Sequence, residues 1–432
     1  MFSIPFNRKQ FGNFSNYDIS SDGGLLLLDK VESRFNIIGD AVNLVRDVRN
    51  PLYITHTMES ILKQLVYGMC MGYSDLNDHD NIRLDDLYKS VLNKEEDLAS
   101  DSTLCRIQKH VNHNTIVDLN KLMIEKFISS FKSEPDELIL DVDATDVELY
   151  GNQENRAYHG YYKEYCYLPL HVTCGDELLV SYLRPSNQDN FRHSWPIIGL
   201  LIKRIRQSFP NTKIIVRADS GFMRHNFIGW LELKKVSYII GMARNNKLLD
   251  QVRNDIENIE EIYDNNSSDN TIAKYKEFTY QAGSWKKERK IICKIEKNYH
   301  GRNIRFIVTN IDNNKRAKEL YKNLYCMRGD MENKIKYVQL DLFGDRLSSS
   351  KYLSNSFRLM LSSLSYLLMQ KLKTHYLKYT NLAKATANTI RLKLLKLAVL
   401  IKVKKTSIRF EFSANYGYKN LLKTLLPKLF AT

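Results

Sequence analysis

The chain has 432 residues, 43% of them hydrophobic, enough for a large core divided among two to four structural units. Lys and Arg number 64 against 49 Asp and Glu, and the resulting charge of +15 favours a polyanionic partner, nucleic acid first. The six cysteines form no C-x-x-C pair, which argues against a zinc knuckle or a disulfide framework, and the longest apolar runs ("GLLLL", "LAVLI") fall far below the roughly 20 residues of a membrane span, so a cytoplasmic protein with no membrane partner is expected.

From about 40 to 130 the pattern predicts helices, with apolar residues three and four apart in "MESILKQLVYGMCMGY" and "NKLMIEKFISSF". Between them lies "ASDSTLCRIQKHV", where Asp101, Ser102 and Thr103 supply N-cap chemistry and Arg106 and Lys109 share a helix face. That segment reads either as an ordinary amphipathic helix or as a DNA-recognition helix.

At Leu138 the texture changes to strands: "LILDVDAT", "YCYLPLHVTCG" and "ELLVSYLRP". A helix in "SWPIIGLLIKRIRQSF", a strand in "KIIVRADSGF", a helix around "FIGWLELKK" and a strand in "SYIIGMA" follow. This order predicts an α/β fold built on a mixed sheet that begins with an antiparallel meander. A polar loop, "IYDNNSSDNT", then leads into alternating strands at "YKEFTYQ", "ERKIICKIE" and "IRFIVTNI", a β-rich insertion, before helices resume. From Arg391 onward ten basic residues face a single acidic one, Glu411.

Asp141 and Asp143 alternate on one strand and so share a face, where carboxylates are costly unless paired. Asp219 follows a run that reads as a central strand, at the edge where α/β sheets present functional groups, although an Asp before Ser-Gly is also an ordinary turn former. In "YCMRGDMENKIKYVQ", Tyr325, Arg328, Glu332 and Lys336 fall on one helical stripe, which fits surface ion pairs as well as a site. Two strand carboxylates and a helix carboxylate at one sheet edge suit a pair of divalent ions used for displacement at phosphorus, with Arg328, Tyr325 and Lys336 beside them to hold phosphates. Trp285, in "YQAGSWKKERK", reads as a strand aromatic packing its own sheet or as a ring that stacks on a base among neighbouring cations.

Asp143 and Thr145 as D-x-T, Asp219 followed by "SGF", and the Tyr325, Arg328, Glu332 stripe resemble the DDE transposases of bacterial insertion sequences. Within that group "LYKSVLNK" and "ASDSTLCR", "GNQENRAYHGYYKEYCYLPLHV", "LRPSNQDN" and "YCMRGDMENKIK" resemble the insertion-sequence 1380 family over roughly residues 20–425. The resemblance implies a ribonuclease H-like mixed-sheet core interrupted by a β-rich insertion, with a helical N-terminal DNA-binding region and a basic C-terminal region. The corresponding boundaries are 1–130 for the helical region, 131–250 and 321–385 for the two parts of the core, 251–320 for the insertion and 386–432 for the basic region. It also implies Asp143, Asp219 and Glu332 as catalytic ligands of Mg²⁺ or Mn²⁺, two ions in all. The implied reaction is DNA strand cleavage and transfer on double-stranded DNA, at terminal inverted repeats and a target, by a homodimer. The family pattern Y-x2-R-x3-E-x6-K ends here in Gln339 instead of Lys. That departure leaves a catalytically impaired DNA-binding relic as an alternative, and a ribonuclease H-like nuclease is a third.

Overall fold

The computed structural model describes residues 14, 17–189, 191–265, 270–312 and 316–430. Part of the expected polar loop (266–269) and the chain ends (1–13, 15–16 and 431–432) lie outside the described residues. The chain divides into two compact units, one of residues 1–38, 49–105 and 371–432 and one of residues 39–48 and 106–370.

In the first unit the helical beginning and the basic end of the chain share a three-stranded antiparallel sheet, in which Asp18–Ser20 pairs with Val399–Lys404 and the latter with Ser407–Phe412. Its central helix, Met58–Met71, starts where the Thr57 side chain accepts the Ser60 N–H at 3.2 Å. It stops at Gly72, whose φ of +102° is open to glycine at no steric cost. The buried Arg391 donates to the carbonyls of Cys70 (2.9 Å) and Met69 (3.2 Å), satisfying oxygens that the last helical turn leaves free.

Among the described residues the main sheet of the second unit has eight strands: β1 Glu137–Ala144, β2 Leu170–Cys174, β3 Glu177–Tyr182, β4 Lys213–Ala218, β5 Ser237–Met242, β6 Ile272–Tyr280, β7 Arg289–Asn298 and β8 Gly301–Thr309. Their order across the sheet is β6-β7-β8-β5-β4-β1-β2-β3. β1, β4 and β5 run parallel and the other pairs antiparallel, so the fold is mixed α/β and opens with the expected meander. The strands of the β-rich segment join this sheet directly, with β8 pairing β5 from Phe306↔Met242 to Thr309↔Ile239.

Side-chain alternation divides the two faces. Leu138, Leu140, Val142, Ile214 and Val216 pack with helices α1 His113–Ile128, α2 Ser194–Ser208, α3 His225–Leu233 and α4 Arg253–Asp264 into the main apolar core. Ile139, Ile215, Ile239, Ile292 and Ile307 point the other way, against Leu320 and Tyr321 of a helical run that begins at Ala317. Asp141, Asp143 and Arg217 share that second face by the same alternation. Among the described residues no helix is long and apolar enough to cross a membrane.

Candidate active site

The helical run from Ala317 is not a uniform α-helix. Leu320–Tyr325 and Tyr337–Asp341 are π-helical, Cys326–Arg328 is a 3₁₀ turn, and Gly329–Lys336, α5, is α-helical. Such widened turns re-aim side chains and recur at functional sites. Here they bring Tyr325, Arg328 and Glu332 over the carboxyl ends of β1, β4 and β5.

Asp143, near the end of β1, is 8% exposed. Its Oδ1 accepts the Ala144 N–H at 2.9 Å and its Oδ2 accepts from Arg328 Nη1 at 2.9 Å. The same guanidinium donates through Nη2 to Glu332 Oε1 at 3.0 Å, and Glu332 is exposed. Asp219 directly follows β4 and caps the turn Ser220–Phe222, its Oδ1 accepting the Gly221 N–H at 2.9 Å. Burial pushes the Asp143 carboxyl up to about 6; Arg328 and the Ala144 N–H oppose the shift, and the nearby Asp219 and Glu332 charges add to it. Burial works against the Arg328 charge, yet Asp143, Tyr325, Asp219 and Glu332 together hold its pKa above the ordinary value. The Tyr325 hydroxyl is pushed up by burial and by Asp219, with Arg328 opposing.

A buried pair lies one step below these groups on the same two strands. Asp141 and Arg217 are register partners, 2% and 6% exposed, and the guanidinium grips both carboxylate oxygens, with Nη2 to Oδ2 at 2.7 Å and Nε to Oδ1. Its Nη1 donates to the Leu324 carbonyl, which ties the helical run to the sheet immediately before Tyr325. Asp141 is thus fully engaged by Arg217, leaving Asp143 as the strand carboxylate that faces the site. Gly241, opposite Asp219 on β5, is required by close approach: a Cβ there would lie 2.7 Å from Tyr325 Oη and 2.8 Å from the Ser220 amide nitrogen. Neither Arg217 nor Gly241 was singled out from the sequence. The signal for Arg217 was present, because it precedes Asp219 by the same two residues that separate Asp141 from Asp143. Gly241 left no comparable mark.

The structure therefore brings Asp143, Asp219, Glu332, Arg328 and Tyr325 together. Lys336 is exposed one turn beyond Glu332. Arg106 and Lys109 are exposed on the helix Asp101–Lys109, outside this cluster. Trp285 is 6% exposed and belongs to the main apolar core, on the α2 and α3 side of the sheet. Its ring meets Tyr280 edge-on at 5.8 Å with the Arg289 guanidinium 5.0 Å from its centroid, and Arg289 in turn pairs with Glu232 of α3. That placement supports the packing reading over base stacking beside the carboxylates. Gln339 donates to the Asp146 carbonyl at 3.1 Å and to Thr145 Oγ1 at 3.4 Å, fastening the helical run to the segment that leaves β1.

All-oxygen carboxylate donors suit hard divalent ions. Among the described residues no three Asp, Glu, His or Cys side chains stand in one metal-ligating group. The Arg328 guanidinium lies between Asp143 and Glu332 as the positive charge that these carboxylates share. The donor chemistry fits a divalent ion, with Arg328 displaced from at least one carboxylate.

The sheet-edge carboxylates, the helix carboxylate and the interposed arginine make up the candidate site. The chain belongs to the DDE transposases: the family model for the transposase DDE domain, group 1, matches residues 2–432. The cryo-EM structure of the piggyBac transposase synaptic complex with hairpin DNA is similar over 96% of this chain and 82% of that one, at 11% identity and a TM-score of 0.43. No curated relative matches the chain.

Proposed function

We propose that this chain is an active cut-and-paste transposase that cleaves DNA at the ends of an insertion sequence and joins them to a target. The observation that carries the reading is the convergence of Asp143, Asp219 and Glu332 on Arg328 at the carboxyl edge of β1 and β4. In the first step water adds to phosphorus as the bond to the 3′ oxygen breaks, leaving a 3′-hydroxyl and a 5′-phosphate. In the second step that hydroxyl displaces a 3′ oxygen at a target phosphate. Asp143, Asp219 and Glu332 would hold two Mg²⁺ or Mn²⁺ ions. Bound there, such ions would acidify the attacking water and stabilise charge on the departing oxygen.

Arg328, freed from the carboxylates, has the geometry for bidentate phosphate binding, and the exposed Lys336 provides a second cation on the same helical run. Tyr325, fixed over Gly241, restricts where the strand can lie. The antiparallel meander followed by parallel strands supports assigning the sheet as a ribonuclease H-like core. The bonds from Gln339 to Thr145 and Asp146 keep helix and strand end joined, which favours an active enzyme over a relic. Membership of the insertion-sequence 1380 family, a bacterial cytoplasmic setting, a homodimer on paired inverted repeats, and DNA contacts by Arg106 and Lys109 complete the reading.

The test compares cleavage with binding. Asp143→Asn, Asp219→Asn and Glu332→Gln should each abolish Mg²⁺-dependent cleavage of end-containing DNA while leaving a gel shift nearly unchanged, since removing a negative charge does not weaken attraction to a polyanion. Robust cleavage by Glu332→Gln refutes the assignment.

A further inference from the structure

Arg305 lies on β8, two residues before Ile307, so it projects from the face that carries the catalytic helix. The register places Asp219 at the level of Gly241, and Gly241 opposite Ile307. Arg305 is thus two strands across from Asp219 and two residues further toward the open edge, roughly 12 Å between backbones. Tyr325 occupies the interval. Its ring is 5.5 Å from Tyr321, which is 5.5 Å from Tyr275, and Tyr275 is the register partner of Lys294, itself the partner of Arg305. Arg305 is close enough to act electrostatically on the hydroxyls of both Tyr321 and Tyr325.

Most cations of the β6–β8 segment are already engaged: Lys274 and Lys276 by Asp255, Arg289 by Glu232, Lys290 by Glu277 and Arg302 by Glu260. Arg305 is exposed, and its side chain donates to the neutral Asn303 Oδ1 at 3.3 Å. No carboxylate among the described residues forms an ion pair with it. An arginine kept available beside a tyrosine ladder, on the same face and edge as three carboxylates, has the charge for a phosphodiester and the fork to grip one.

We propose that Arg305 is a phosphate-binding residue that holds the DNA backbone a few nucleotides from the scissile bond, the strand passing over Tyr325 on its way from Asp143 and Asp219. This rests on the transposase reading above and adds a contact on β8 that extends the site across the sheet.

The test uses the full chain and a fluorescent duplex of about 30 base pairs, titrated without divalent metal over a salt series. Arg305→Ala should bind on the order of tenfold more weakly near 0.1 M salt, with the slope of log affinity against log salt shallower by about 0.9, the loss of one phosphate contact. Arg305→Lys should recover most of that slope, since it restores the charge. Arg302→Ala removes the same charge from the opposite face of β8 and should stay close to wild type. If Arg305→Ala and Arg302→Ala match in affinity and slope, the phosphate contact is refuted, while Mn²⁺-dependent plasmid nicking by wild type, lost in Glu332→Gln, leaves the transposase reading intact. A wild-type chain that neither binds nor nicks DNA overturns both.

Discussion

Asp143→Asn should stabilise the metal-free protein, and the size of the effect follows from the site. Asp143 is enclosed by β1 and β2, faces Arg328, Asp219 and Glu332, and lies near Tyr162, whose own hydroxyl feels its charge. Raising its carboxyl from an ordinary 3.8 to about 6 makes ionisation in the folded state cost about 3 kcal/mol, at 1.36 kcal/mol per tenfold change in acid strength. Because the folded value lies above the unfolded one, the stability contributed by the neutral carboxyl is fully present below about pH 3.8 and is lost as pH rises through about 6. Asparagine keeps the shape and has no proton to lose. At pH 8 in EDTA the variant should therefore melt several degrees above wild type, on the order of 5–10 °C if the second unit unfolds cooperatively. The gap should close between pH 6 and pH 4. Mg²⁺ should narrow it from the other side by stabilising wild type alone. Differential scanning calorimetry across that pH range is the assay. A variant that melts below wild type at pH 8, or a gap that does not change with pH, refutes the account of a carboxylate held under strain for a cation.

Two further outcomes are expected. Arg217→Met alone should lower stability by about 3–5 kcal/mol in chemical denaturation, because it strands the buried Asp141 charge, while adding Asp141→Leu should restore much of it without restoring cleavage, since the Leu324 carbonyl still lacks its donor; a single variant as stable as wild type would disprove the coupling. Trp285→Ala should cost about 3–5 kcal/mol and lower the melting temperature while leaving cleavage at saturating DNA unchanged, and a selective loss of cleavage in a normally stable variant would return the ring to a DNA-contact role.

The sequence showed the parts of the fold that depend on local periodicity. Asp143 could be placed on a strand face because alternation marks the face, and Asp219 at a strand end because it directly follows an apolar run, and the meander, the helices that follow it and the β6–β8 strands were visible from their periodicity. Long-range pairing was not visible. Nothing local in "DIS" says that it pairs with "LAVLIKVK" nearly 400 residues later, and the helical beginning and basic end therefore read as separate regions although they share a sheet. Trp285 is a similar case: its cationic neighbours in sequence suggested DNA, whereas Arg289 turns inward to Glu232 and covers the ring.

The stripe of Tyr325, Arg328 and Glu332 shows how a correct pattern can rest on an incomplete reason. A uniform α-helix would align these residues, yet the run passes from a π turn through a 3₁₀ turn into α5, and its position over the sheet is fixed by contacts that helical spacing does not contain. Arg217 holds the Leu324 carbonyl on one side of Tyr325, and Gly241 lets the Tyr325 hydroxyl settle against the Asp219 turn. At the far end Gln339 fastens Asp146 and Thr145. An amide with two neutral partners makes this tether without adding a charge to the site. Under the proposed function the phosphate-binding work is assigned to Arg328 and Lys336 on the helical run, and to Arg305 across the sheet.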